Sequence, residues 1–179
     1  MATTKVMTTE DVAQLPDDEF RYALFRGVLY RMPLPVARHG RVVGTIGRLV
    51  GSFVVEHCLG VVYDQNGFIF ECDPDTLLGP ALSFVQSAHV PADEDSYPEL
   101  APDLVVEIIS PSQTGPSIEE KTSIYLAVGV RLVWVVDPVR GTVRIHRADG
   151  TDHLLTVRDV LDGEDVLPGF HVPIAQFFA

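Results

Sequence analysis

The chain has 179 residues, 46% of them hydrophobic and 21% charged, enough for one ordinary domain with a substantial core and too apolar for a disordered chain. Its 25 acidic residues outnumber 13 Lys and Arg, for a formal net charge of −12. That balance weighs against a protein that coats nucleic acid by releasing counterions from phosphates, although it leaves room for a local basic cleft.

In chain order, Thr8-Thr9-Glu10-Asp11 ahead of Val12 and Leu15 predicts a short capped helix, stopped by Pro16. Residues 20–25 and 28–32 predict two strands joined by a tight hairpin at Arg26-Gly27. After Pro33 and Pro35 a long helix is expected over 37–59, ended by Gly60. Val42, Val43, Ile46, Leu49, Val50, Phe53 and Val54 fill its apolar arc. Gly40, Gly44, Gly47 and Gly51 line up beside that arc. Each costs about 1 kcal/mol relative to Ala inside a helix, so the series implies close backbone approach, either to the chain's own sheet or to a second helix in a homodimer. Arg31, Arg38, Arg41 and Arg48 form the chain's one basic concentration and read first as a solvated face.

Further strands are expected at 60–63, 68–71 and 82–85, with a turn at Asp73-Pro74-Asp75 and a surface loop over 92–102. A buried strand over 103–109 leads through a loop at 110–115 to a helix over 117–128, capped by Ser117 and closed by Gly129. The next strand, 131–137, is apolar on both faces and so central and parallel, in a right-handed crossover. Asp149-Gly150 reads as a two-residue hairpin turn between 143–147 and 151–157, which would make His146 and His153 cross-strand partners. Such a pair could hold a metal but reads first as exposed hairpin histidines. A short apolar helix closes the tail. The pattern predicts an α/β (α+β) fold, a mixed sheet flanked by helices, as a single domain over 1–179. No apolar run reaches membrane-span length and no basic-then-apolar leader opens the sequence, so no membrane partner and a cytoplasmic location are expected. Cys58 and Cys72 lack metal spacing and read as free thiols.

Two charges fall in core-facing positions. Strand alternation puts Asp103, Val105, Glu107 and Ile109 on one face, and helical spacing puts Ile118, Lys121, Tyr125 and Val128 on one stripe. A buried carboxylate and a buried ammonium are costly unless they meet each other or a ligand. Glu107 near the C-terminal end of its strand, with Lys121 above it, therefore marks either a functional site or an ion pair that fixes the helix on the sheet.

Several of these residues together resemble a known family. Arg21-Tyr22 before a hairpin, a long helix opening near His39, Pro80-x-x-x-Phe84-Val85, Ala-Pro-Asp103-Leu-Val-Val-Glu107 with Ser110-Pro111-Ser112, then Lys121, Tyr125, Gly129 and Val-Trp-Val-Val-Asp137-Pro138 are similar to the Uma-type family. These are small restriction-endonuclease-like proteins of the PD-(D/E)XK nuclease superfamily. The resemblance covers nearly the whole chain and implies a restriction-endonuclease-like fold, DNA as substrate and Mg²⁺ as cofactor. It also implies a homodimer.

Carried onto this sequence, the family pattern makes Glu107 a metal ligand and catalytic residue and Lys121 the catalytic lysine, moved from the strand position of Ile109 onto the helix. Possible substrate contacts are His39, Arg41 and Tyr125. The remaining acidic positions of the pattern are apolar here: Ala81 replaces the aspartate, Ala23 a hairpin glutamate, and Val28 the next acidic position. A Mg²⁺ site relies on one or two carboxylates together with substrate phosphates. Asp103 lies about 13 Å along the strand from Glu107, too far to substitute. Glu71, Asp73 or Asp64 from the neighbouring hairpin are the other candidates.

Three readings follow. The chain is a Mg²⁺-dependent DNA endonuclease-like protein with an eroded metal site, and so with little or no activity. Alternatively it is a non-catalytic binding or regulatory module on the nuclease fold, or a plain domain whose Glu107–Lys121 pair only stabilises packing.

Overall fold

The computed structural model describes residues 6–16, 20–32, 34–93, 95–110 and 115–179. Pro33, part of the acidic loop at Glu94, and Pro111-Ser112 with the rest of the 111–114 loop lie outside the described residues.

A short helix α1 (Thr9–Ala13) starts at Thr8, whose side chain accepts from the Asp11 amide while the Asp11 carboxylate accepts from the Thr8 amide. Strands β1 (Arg21–Phe25) and β2 (Val28–Met32) form the expected hairpin. Arg26 and Gly27 both have positive φ (48° and 75°), the geometry a two-residue turn needs to match strand twist.

The long helix α2 (Ala37–Glu56) buries Val42, Val43, Ile46, Val50 and Val54 as its spacing predicts. It stops earlier than expected. Cys58, not Gly60, takes the left-handed conformation (φ 52°) that a helix-closing glycine usually supplies. Gly60 instead opens a strand, where an added Cβ would run into the Val85 carbonyl.

The principal sheet is mixed and six-stranded, in the order β10-β9-β8-β7-β6-β3. Its strands are β3 (Gly60–Tyr63), β6 (Leu82–Gln86), β7 (Leu104–Ile108), β8 (Leu132–Asp137), β9 (Thr142–Arg147) and β10 (Asp152–Thr156). Only β7 and β8 are parallel, joined through helix α3 (Ile118–Ala127), and β8 lies inside the sheet as expected. One face of β7 sends Leu104, Val106 and Ile108 into the core shared with α2. The other sends Val105 into a second core beside Ile124 and Tyr125 of α3.

A second, antiparallel sheet has the order β2-β1-β5-β4, with β4 (Phe68–Glu71) and β5 (Thr76–Leu78). Through Ala23, Phe68, Phe70 and Leu78 it joins the core on the α3 side. A two-stranded ribbon, β11 (Val160–Asp162) with β12 (His171–Pro173), leads into the closing 3-10 helix Ile174–Phe178. Among the described residues no helix is long and apolar enough to cross a membrane. Both cysteines are free and exposed.

The β9–β10 hairpin corrects the expected histidine pair. His146 lies opposite Asp152, and His153 opposite Ile145. The loop holds three residues between Arg147 and Thr151, with Gly150 at φ 83°, rather than two. One extra loop residue shifts the register by one and sends the two rings to opposite faces of the ribbon.

Candidate functional site

The site is built where β7, α3, the start of α2 and β1 converge. Alternation along β7 turns Glu107 away from the α2 core and under α3, where it is buried. Ser117 caps α3 with Glu120 in a reciprocal box, which fixes the helix start and thereby the stripe carrying Lys121 and Tyr125. Lys121 Nζ lies 3.3 Å from Glu107 Oε1, and the Tyr125 hydroxyl donates to the same oxygen at 2.7 Å. The predicted encounter of Glu107 and Lys121 is thus present. Tyr125 is fully buried, and its pKa is pushed well above the usual value by burial first and then by the neighbouring carboxylate, so it stays a donor.

His39, in the first turn of α2, is half-buried and feels the charges of Arg21, Glu107, Asp64 and Lys121. Burial, reinforced by Arg21, holds it below the ordinary histidine range. Arg41 turns the other way and donates to the Phe178 carbonyl at 3.2 Å. Arg31 stacks over the Phe20 ring, and Arg38 and Arg48 are exposed, so the basic concentration is divided among several surfaces.

Sequence reasoning names Arg21 only in the motif that carries the resemblance and gives it no role. Arg21 shares a face of β1 with buried Ala23, so a core-facing guanidinium was there to be read by the same alternation that singled out Glu107. Burial lowers its pKa, against the opposing fields of Asp64 and Glu107. Its Nε and the Nδ1 of His39 are both buried without a hydrogen-bond partner among the described residues.

The positions that would supply further carboxylates are apolar. The β6–β7 register pairs Leu82 with Val106 and so carries Ala81, one residue earlier, opposite Glu107. Ala81 is buried within the α2-side core, Ala23 within the α3-side core, and Val28 is exposed on the hairpin. Of the three substitutes considered, Glu71 accepts from Thr76 at 2.6 Å and lies 3.7 Å from Arg26, and Asp73 sits in the same exposed β4–β5 turn. Only Asp64, exposed just beyond β3, bears on Arg21 and His39. Asp103 is spent on structure, accepting from the Gln86 amide at 2.8 Å and from His89 at 3.2 Å. Among the described residues no three His, Cys, Asp or Glu side chains gather to hold a metal ion.

Comparison with known proteins shows the family and the fold. A family described as "Uma2: Putative restriction endonuclease" matches residues 9–175. A crystal structure described as "a putative nuclease belonging to DUF820", from Anabaena variabilis, superposes with a TM-score of 0.84 at 20% identity, covering 96% of this chain and 97% of that one. That likeness is one of fold. No curated protein matches the sequence.

Proposed function

Because the chain belongs to the Uma2 family of restriction-endonuclease-like proteins, we propose that it is a DNA-directed protein of nuclease type that retains Glu107 and Lys121 but has lost the means to hold Mg²⁺. It then cleaves DNA little or not at all. One observation carries this reading. The only carboxylate of the family pattern left in the cleft has an oxygen shared by Lys121 and Tyr125, while Ala81 and Ala23 offer nothing to a cation. Mg²⁺ demands near-octahedral oxygen ligands and dehydrates reluctantly. A single carboxylate beside an ammonium, with Arg21 adding a second positive charge, does not fit it.

The Lys121–Glu107 pair also anchors α3 on β7, so the site keeps its shape without metal. This favours a binding or regulatory role over catalysis. The test is cleavage of supercoiled plasmid in Mg²⁺ or Mn²⁺, which on this reading does not exceed background.

We also propose a homodimer formed through the α2 glycine face. A Cβ added at Gly40, Gly44 or Gly51 would meet no atom within 4 Å, and one at Gly47 only the tip of Leu82 at 3.4 Å. Apart from Leu82 of β6 at Gly47, the described residues leave the stripe open, which supports a second backbone against it.

A further inference from the structure

We infer that the cleft at Arg21, His39 and Lys121 binds a phosphate oxyanion directly, with no divalent cation between protein and ligand. The inference rests on the reading above, that the residues present do not fit Mg²⁺, and it names what they fit instead. A buried donor without an acceptor forfeits the hydrogen bond it made in water, and native chains leave few of them. Two such nitrogens, on different elements, lack a partner among the described residues: Arg21 Nε, which can only donate, and His39 Nδ1, which donates in one tautomer.

Two carboxylates act on these groups, Asp64 (the stronger on Arg21) and Glu107, and neither is hydrogen-bonded to the two nitrogens. Glu107 is drawn toward α3 by Lys121 at 3.3 Å and Tyr125 at 2.7 Å, and it reaches Arg21 and His39 through its field alone. The start of α2 sharpens the demand. Its N-cap is Val36, which offers no side-chain acceptor, and its first turn carries no acidic residue. An uncapped helix start beside a cation is an unfavourable pairing that an anion relieves. The guanidinium presents its donors as a planar fork, which suits the paired oxygens of a phosphate. The positive charge such a ligand would meet comes from Arg21 and Lys121 themselves.

Two sources share this chemistry, a nucleic-acid backbone and a free phosphate ligand. Full-length protein in excess EDTA is titrated in two arms, with a fluorescent 20-base-pair duplex and with inorganic phosphate. Each arm is repeated with Arg21→Met, which keeps the stem, and Arg21→Lys, which keeps the charge but not the fork. Thermal melting confirms that each variant folds. Expected are binding by wild type that added Mg²⁺ does not strengthen, a tenfold or greater loss in Arg21→Met, and an intermediate loss in Arg21→Lys.

Phosphate binding that shows this pattern without duplex binding keeps the inference and removes nucleic acid from the proposed function. Duplex binding unchanged by either substitution overturns the inference while leaving a DNA-directed role standing. Binding that appears only on adding Mg²⁺ overturns both.

Discussion

Replacing Glu107 by Ala is the sharpest structural perturbation available. Glu107 and Lys121 are each only 5% exposed, and Tyr125 is wholly buried. Removing the carboxylate leaves the Lys121 ammonium without its counter-charge at 3.3 Å and the Tyr125 hydroxyl without its acceptor at 2.7 Å. Breaking a buried pair on one side costs about 3–5 kcal/mol, and an orphaned buried hydroxyl about 1–3 kcal/mol if water does not reach it. The two costs overlap, because a water admitted to the new space can serve both groups, so about 4 kcal/mol is the expected loss. With a urea m-value of about 2 kcal/mol/M, the midpoint should fall by about 2 M. Urea unfolding followed by Trp134 fluorescence and by far-ultraviolet circular dichroism measures it. Replacing the whole set, Glu107→Leu with Lys121→Met and Tyr125→Phe, should recover most of the loss, since apolar substitutes for a buried pair are often neutral or better. A loss below about 1 kcal/mol in Glu107→Ala would refute the reasoning, because the carboxylate would then already be solvated.

Burial holds His39 and His146 below the ordinary histidine range, so each takes up its proton at lower pH in the folded chain than in the unfolded one. Their contribution is therefore full above about pH 6.5 and is lost as pH falls. The urea midpoint should drop as pH falls below about 6.5, and His39→Gln with His146→Gln should flatten that slope; an unchanged slope would show that neither ring is responsible. If α2 pairs across its glycines, Gly44→Leu converts the dimer to monomer in size-exclusion light scattering. A monomeric native protein would instead make Gly44→Ala stabilising by roughly 1 kcal/mol and end the dimer reading.

Much of this fold was legible because local signals agreed with tertiary ones. The β7-α3-β8 unit carries apolar runs, a Ser117–Glu120 capping box and a closing Gly129 at φ 105°, each pointing to the same element. The Arg26-Gly27 hairpin was equally plain. What escaped depended on partners distant in sequence. Strand β5 is three residues long, too short to show a period, and is a strand because β1 and β4 flank it. The histidine register turned on one loop residue, which composition does not count.

In the candidate site, Glu107, Lys121 and Tyr125 were legible from periodicity, and the structure adds that they share one oxygen. His39 reaches the cleft and Arg41 does not, because two residues along a helix is more than half a turn. Arg21 was quoted only for the family resemblance and given no place in the cleft, although it obeys the alternation rule that singled out Glu107.

The central claim is that the family's metal site no longer works in this chain, and plasmid cleavage tests it most directly. Purified protein, from equimolar to large excess, is incubated with supercoiled plasmid in Mg²⁺ or Mn²⁺ beside a Glu107→Gln preparation made identically. The account predicts that both preparations leave the plasmid supercoiled to the same degree as buffer. Metal-dependent nicking by the native protein that disappears in Glu107→Gln would contradict it, and would mean that Asp64 or another carboxylate completes the site.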